Sequence, residues 1–320
     1  MDKEQTAHAL LAALGLLRPG WFPTFLEFTE SIPDKVIQHI QAQGGGHADC
    51  TALAERLHSR CVYSNAGSPR FVIRPNLARL LVETDLPEDM STEWLRLPYE
   101  GLCLEVPINT FGPPAEKATE LYMSFVPGDR LRLVFSPDLT MTHYVSLTVD
   151  GQKSIAAAIA ETKARAEMML PAHLSAEYHA NDAYNDYFRS DVFTFALNAV
   201  LYITSGGADV VQDKAEARAL HQQLQGLKQK AKREKLEARL LAAKDKKIYI
   251  CGECLVAPRE MTAELTKEGR ELTKRFRVRG HWRNQATGPQ WSERKHIWIA
   301  PHWKGPTFSE LLERNYVVKR

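Results

Sequence analysis

The sequence predicts an α+β fold: N-terminal helices with an antiparallel sheet, then a long basic linker helix, then a small C-terminal β-hairpin-containing module. Three observations predict it. Helix-length segments with apolar periodicity crowd residues 1–100, and strand-length apolar runs with short connections follow them. A proline-free stretch of strong helix formers, Asp213 to Lys247, separates those runs from a second strand-like region. The charge changes sign at that stretch. Residues 1–211 hold 16 Lys+Arg against 26 Asp+Glu, a net of −10, and residues 212–304 hold 22 against 11, a net of +11, in a chain whose total is only +2. This division suggests an acidic helix-and-sheet module over 1–211 for binding peptide or protein, a long basic helix over 212–247, and a basic aromatic module over 248–320. Mutual attraction of the two halves is the alternative.

The elements follow in order. Candidate helices run over Glu4–Leu17, Pro33–Gln43, Asp49–Ser59 and Asn76–Glu83, punctuated by Pro19-Gly20, Gly44-Gly45-Gly46 and Gly67-Ser68-Pro69. The aromatic, proline-punctuated Trp21–Phe25 reads as a segment packed across the fold. Leu102–Val106, Leu121–Val126, Leu131–Phe135 and Tyr144–Val149 are strand-length runs bounded by turn signals, including Pro127-Gly128-Asp129, and predict an antiparallel meander. Ser154–Leu170 sets Ile155, Ile159, Thr162, Ala166 and Met169 on one stripe, as a helix covering a sheet face would. Tyr184–Thr204 is apolar nearly all round after its first turns and predicts a central helix ended by Gly206-Gly207.

Asp213 can cap the next helix, where Leu220, Leu224, Leu227, Ala231, Glu234 and Ala238 give only a thin apolar seam beside the basic run Lys228–Lys235. That helix reads as largely exposed, either a solvated spacer or a phosphate-tracking surface. Lys247–Leu255 returns to strand character, and Arg259–Gly269 predicts a short helix. Arg275–Arg283 and Lys295–Ala300 predict a hairpin joined by the Asn284–Arg294 loop, and Ser309–Arg314 a closing helix.

The hairpin carries most of the chemistry. Four of the six tryptophans (Trp282, Trp291, Trp298 and Trp303) fall in it or beside it. Strand alternation puts Arg275, Arg277, Arg279, His281 and Arg283 on one face, with Phe276, Val278 and Trp282 on the other. A cationic face among aromatics suits a phosphate backbone or an exposed base. Candidate contacts to nucleic acid or ribosome are therefore Arg275, Arg277, Arg279, His281, Trp282, Arg283, Lys295 and Trp298. The arginines rank ahead of the indoles, because a small sheet needs aromatics for its own core. His281, His296 and His302, with an arginine, offer the groups for acid–base cleavage of RNA, yet their spacing matches no catalytic signature. Cys251-Gly-Glu-Cys254 could form a Cys₂His₂ zinc site with two of those histidines, two ordinary reduced cysteines being the favoured alternative. No cofactor is assigned. Residues 1–211 contain no glycine-rich phosphate loop, nucleophile elbow or zinc-protease helix, which favours a binding module there.

Composition sets the class. A chain of 320 residues, 44% hydrophobic and 25% charged, is an ordinary globular protein. Five cysteines, an odd number, suit a reducing compartment. The charged Met-Asp-Lys-Glu-Gln start is unlike a secretory signal, and the longest apolar run, Val192–Ile203, is too short to span a bilayer. A cytoplasmic protein with no membrane partner is expected.

Arg279-Gly280-His281-Trp282, followed by Gly288, Trp298 and Pro301, resembles the C-terminal signature of the second type V-A anti-CRISPR family. These proteins of phages and other mobile elements block production of the type V-A CRISPR effector nuclease. Leu97–Cys103, Gly151–Ile155 and Leu197–Asp209 are similar to family segments in the same order, while Asp213–Lys247 matches least. The resemblance implies recognition of the nuclease's N-terminal nascent peptide, contact with ribosome or mRNA, and loss of that mRNA. It points to a non-catalytic adaptor in the host bacterial cytoplasm. A ribonuclease using the C-terminal His and Arg residues, and a plasmid or phage DNA-binding accessory protein, are the rival readings.

Overall fold

Strands that are apolar at nearly every position need cover on both faces, and the central strands of this chain obtain it. The computed structural model describes residues 9–32, 47–112, 118–126, 130–135, 143–168, 192–225, 227, 229–255 and 276–304. Its main sheet has seven strands: β1 (Arg70–Ile73), β3 (Gly101–Glu105), β4 (Glu120–Val126), β5 (Arg130–Phe135), β6 (His143–Thr148), β7 (Val210–Gln212) and β8 (Ile248–Cys251). Their order across the sheet is β6-β5-β4-β3-β1-β8-β7. The expected meander is β3 to β6, all antiparallel. Beyond it the sheet is mixed, since β1 runs parallel to both β3 and β8.

One face carries Leu102, Leu104, Leu121, Met123, Leu131 and Leu133 into the largest core cluster. Helix α3 (Pro75–Val82), α4 (Ile155–Met168) and α5 (Phe193–Thr204) complete that cluster. Helix α4 lies along β6, with Ile155 and Ala158 buried and Thr162 Oγ donating to Ser146 O at 3.1 Å. The opposite face carries Cys103, Tyr122 and Val134, which pack with Tyr63 of α2 (His47–Asn65). The period-2 alternation in these strands therefore separates two buried environments rather than core from water.

On the outer side of α2 sits a short segment that the aromatic Trp21–Phe25 stretch announces. Helix α1 (Phe25–Glu30) opens with a capping box, Thr24 Oγ accepting from Glu27 N while Glu27 Oε2 accepts from Thr24 N. Leu11, Leu16 and Phe28 join Leu57 and Cys61 of α2 in a small second cluster.

Residues 212–247 fold differently from the single long helix expected. They form two antiparallel helices, α6 (Ala215–Gln225) and α7 (Lys230–Asp245), packed through Ala217, Leu220, Leu240 and Ala243. Strand β8, just beyond this hairpin, lies inside the main sheet, so a division at 211/212 and 247/248 runs through one sheet. The remaining strands make two small ladders. Strand β10 (Gly280–Thr287) pairs with β11 (Glu293–Ile299) and with β2 (Thr84–Asp85), and β9 (Phe276–Val278) pairs with β12 (His302–Lys304). The helices expected over Pro33–Gln43, Arg259–Gly269 and Ser309–Arg314 lie outside the described residues.

A buried polar cluster joins α2 to β5. Arg132 Nη1 donates to Glu55 Oε2 at 2.7 Å and to His58 Nδ1 at 3.0 Å, and His58 Nε2 donates to Pro23 O at 2.9 Å. Both ring nitrogens are thus committed to a neutral imidazole, and burial lowers the pKa of His58 to about 4. Because the folded value lies below the unfolded one, this contribution is complete above about pH 6.5 and is lost as the pH falls toward 4. Burial raises the Glu55 pKa, which acts in the opposite direction, so a comparison of variants is needed. Between pH 7 and pH 4 the wild-type protein is expected to lose roughly 2–3 kcal/mol more unfolding free energy than His58→Gln. Urea titrations at several pH values check this, and equal losses would contradict it.

Candidate functional site

The C-terminal hairpin follows the expected alternation residue by residue. Arg277, Arg279, His281 and Arg283 are exposed, while Phe276 and Val278 are half-buried and Gly280 and Trp282 are buried. Trp282 stands directly opposite Trp298 in the β10–β11 register, and Asn284 opposite His296. The hairpin turn uses Gly288 at φ 76°, a conformation open to glycine without strain.

What the alternation does not reveal is that the inner face is a dock. Gly280 N donates to Glu83 O at 3.1 Å, and β10 runs parallel to β2 from that point. A side chain at position 280 has no room, since a Cβ there would sit 2.4 Å from Thr84 Oγ and 2.7 Å from Pro301 Cδ. Trp282 Nε1 donates to the Oδ1 of Asn198 at 2.9 Å, and Asn198 is fully buried in α5. The amide nitrogen of Asn198 donates to Thr84 O at 2.8 Å. Thr84 Oγ donates to Leu80 O at 2.7 Å and accepts from Trp298 Nε1 at 3.2 Å. Tyr202 meets the Trp298 ring edge-on at 5.2 Å. Trp282 therefore belongs to the core, and Trp298 packs against it half-buried.

The arginines of the outer face divide. Arg279 pairs with Asp85 at 3.1 Å, and Arg277 pairs with Glu83 while lying over the Trp303 ring. Glu83 is partly desolvated, which raises its pKa, and Arg277 is the strongest counterweight. Arg283 is exposed. Arg275 lies outside the described residues. Lys295 reaches across to Gly206.

The three histidines do not gather at one point. His302 sits in the β12–β9 ladder, its Nδ1 3.1 Å from Ala300 O. His281 and His296 project from opposite faces of the hairpin, as their partners Ile299 and Asn284 require. Both contribute atoms to a cleft of about 410 Å³ between the hairpin and residues 87–94. Asp89, Trp94, Arg283 and Asn284 also line it. His296 packs against Trp94 with ring centroids 4.0 Å apart, and its Nδ1 is buried without a hydrogen-bond partner among the described residues. Desolvation lowers its pKa, opposed by Asp89, so the imidazole is neutral at physiological pH.

The Cys-x-x-Cys pair diverges. Cys251 is buried, and burial followed by the Asp209 charge pushes its thiol up to about 12; Cys254 is exposed. Among the described residues no three His, Cys, Asp or Glu side chains lie together as a metal site would need. No helix among them is long and apolar enough to cross a membrane.

Residues that the sequence leaves unmarked complete the site: Glu83, Thr84 and Asp85 of the dock, and Asp89 and Trp94 of the cleft. Only Asn198 carries a signal, a single amide in an otherwise apolar helix.

A family model and a solved structure are both similar to this chain. The model of the AcrVA2-like family, described as anti-CRISPR type V subtype A2, matches residues 71–305. The solved structure titled "Crystal structure of AcrVA2" is similar at a TM-score of 0.48 and 15% sequence identity, over 94% of this chain and 92% of that one. No curated protein matches the chain. The matched span runs from β1 to the strand beyond the hairpin, and so includes every residue of the dock.

Gly280→Ala is expected to cost about 1–3 kcal/mol of unfolding free energy, because the added methyl overlaps Thr84 and Pro301. His281→Ala next to it, at an exposed position, is expected to stay within about 0.5 kcal/mol. Chemical denaturation of both variants checks the contrast.

Proposed function

This chain belongs to the type V subtype A2 anti-CRISPR family, and from that premise we propose that it represses production of a host defence nuclease as a non-catalytic adaptor. In this reading it recognises the N-terminal peptide of the nuclease as that peptide leaves the ribosome, and promotes loss of the encoding mRNA through host enzymes. Its partners are the nascent peptide and the ribosome or message, met in the bacterial cytoplasm. The acidic residues 1–211 hold the peptide, and the basic half approaches RNA.

The observation that carries the adaptor reading over a nuclease is the disposition of the hairpin. His281 and His296 point to opposite sides, His302 is in another ladder, and Arg277 and Arg279 are committed to Glu83 and Asp85. Acid–base cleavage of a phosphodiester needs two such groups facing one phosphate, with a cation beside it. A ribonuclease remains the second reading because His281, His296 and Arg283 line one cleft.

Capture of ribosome–nascent-chain complexes on the tagged full chain, with sequencing of the associated messages, tests the proposal. Enrichment of one nuclease message, with ribosomes on its early codons, is expected. No enrichment over a mock capture would sink it. RNA cleavage by purified protein free of host nucleases, abolished in His281→Ala, would replace it with the ribonuclease reading.

A further inference from the structure

The helical hairpin α6–α7 takes no part in the dock or the cleft, and most of its cations are outside the ion pairs of the described residues. It is inserted between the adjacent antiparallel strands β7 and β8 at one edge of the main sheet. Its root is tied. Asp213 N donates to Ile248 O at 2.8 Å, Gln212 Nε2 donates to Lys246 O at 3.1 Å, and Lys246 pairs with Glu216 at 2.5 Å. Its apolar seam is a cluster separate from the main core. The hairpin is therefore a projection with a fixed base, not a lid on the sheet.

Its surface is cationic. Lys214, Arg218, Lys232, Lys235, Arg239 and Lys244 are exposed, and none of them is in an ion pair among the described residues. Lys232, Lys235 and Arg239, at i, i+3 and i+7, share one side of α7 over a rise of about 10 Å. This contrasts with Arg277 and Arg279, whose charges are already matched by carboxylates. Like charges on one rigid face repel one another, and a polyanion that releases their counterions relieves that repulsion.

The residue types narrow the polyanion. From 212 to 247 there is no Phe, Tyr or Trp, so the arm has no platform on which an unpaired base could stack. Lysines outnumber arginines eight to three in the same stretch. Lysine acts on phosphate as a point charge, without the bidentate geometry that reads a base edge. An arm of this kind recognises the backbone of a duplex and is indifferent to sequence.

We propose that α6–α7 is a docking arm for the phosphate backbone of double-helical RNA. The choice of RNA over DNA rests on the translation-linked reading above; the phosphate contact rests on the arm alone.

Fluorescence anisotropy of the full chain with a labelled RNA duplex of about 20 base pairs, across roughly 50–200 mM salt, tests it. Wild-type affinity is expected to fall steeply with salt. Lys232→Glu with Lys235→Glu and Arg239→Glu is expected to weaken binding at least tenfold and to flatten the log–log salt slope by about three, with thermal unfolding unchanged. The milder Lys232→Gln, Lys235→Gln and Arg239→Gln set should shift affinity in the same direction by less. Unchanged affinity and slope in both sets would overturn the arm. So would an equal loss in Arg283→Glu, which would move the contact to the cleft. Equal binding of a DNA duplex of the same sequence would overturn the RNA assignment. The assay contains neither ribosome nor nascent chain, so its failure is separable from failure of the capture experiment.

Discussion

A fully buried carboxamide needs partners for both its hydrogens and its oxygen, and Asn198 finds them on two distant parts of the chain. Its amide nitrogen holds the end of the α3–β2 segment at Thr84 O, and its oxygen holds the Trp282 indole of β10. An unpaired buried group of this kind costs about 1–3 kcal/mol, so neither half of the contact is readily given up alone. Trp298, directly opposite Trp282, repeats the pattern by donating to Thr84. This junction fixes where the hairpin lies, and so fixes the cleft beside residues 87–94.

The same junction explains the Arg-Gly-His-Trp block in physical terms. Arg279 meets Asp85, Gly280 lets the backbone approach Thr84 and Pro301, and Trp282 reaches Asn198. Arg279 and His281 both lie on the exposed face, and Arg279 reaches Asp85 from it. Three of the four residues hold the basic hairpin to the acidic half, and one of them, Arg279, does so through opposite charge. A further cationic surface lies on α6–α7.

Much of this was legible in the chain because the signals are local. The meander β3–β6, helix α4 and the alternation over 276–283 each follow from a period of two or 3.6 residues. The short strands β1, β2, β7 and β12 carry two to four residues each, and only their tertiary partners make them strands. The break within 212–247 was hidden by helix formers on both sides of it. Its trace is a phase error: the Leu236–Leu240–Ala243 seam is about 150° away from the Leu220–Leu224 seam on a continuous helix. The dock was legible only as a lone Asn198, since Glu83, Thr84 and Asp85 look like an ordinary helix end.

The placement of the hairpin depends on the Trp282–Asn198 bond, and a double-mutant cycle of Trp282→Phe and Asn198→Ala in equilibrium unfolding measures it directly. The bonds of Asn198 to Thr84 O and Leu81 O are lost in both arms that carry Asn198→Ala, so they cancel. A coupling free energy of about 1–2 kcal/mol is predicted. Additivity within about 0.3 kcal/mol would mean that the hairpin is held by something else, and would contradict the dock.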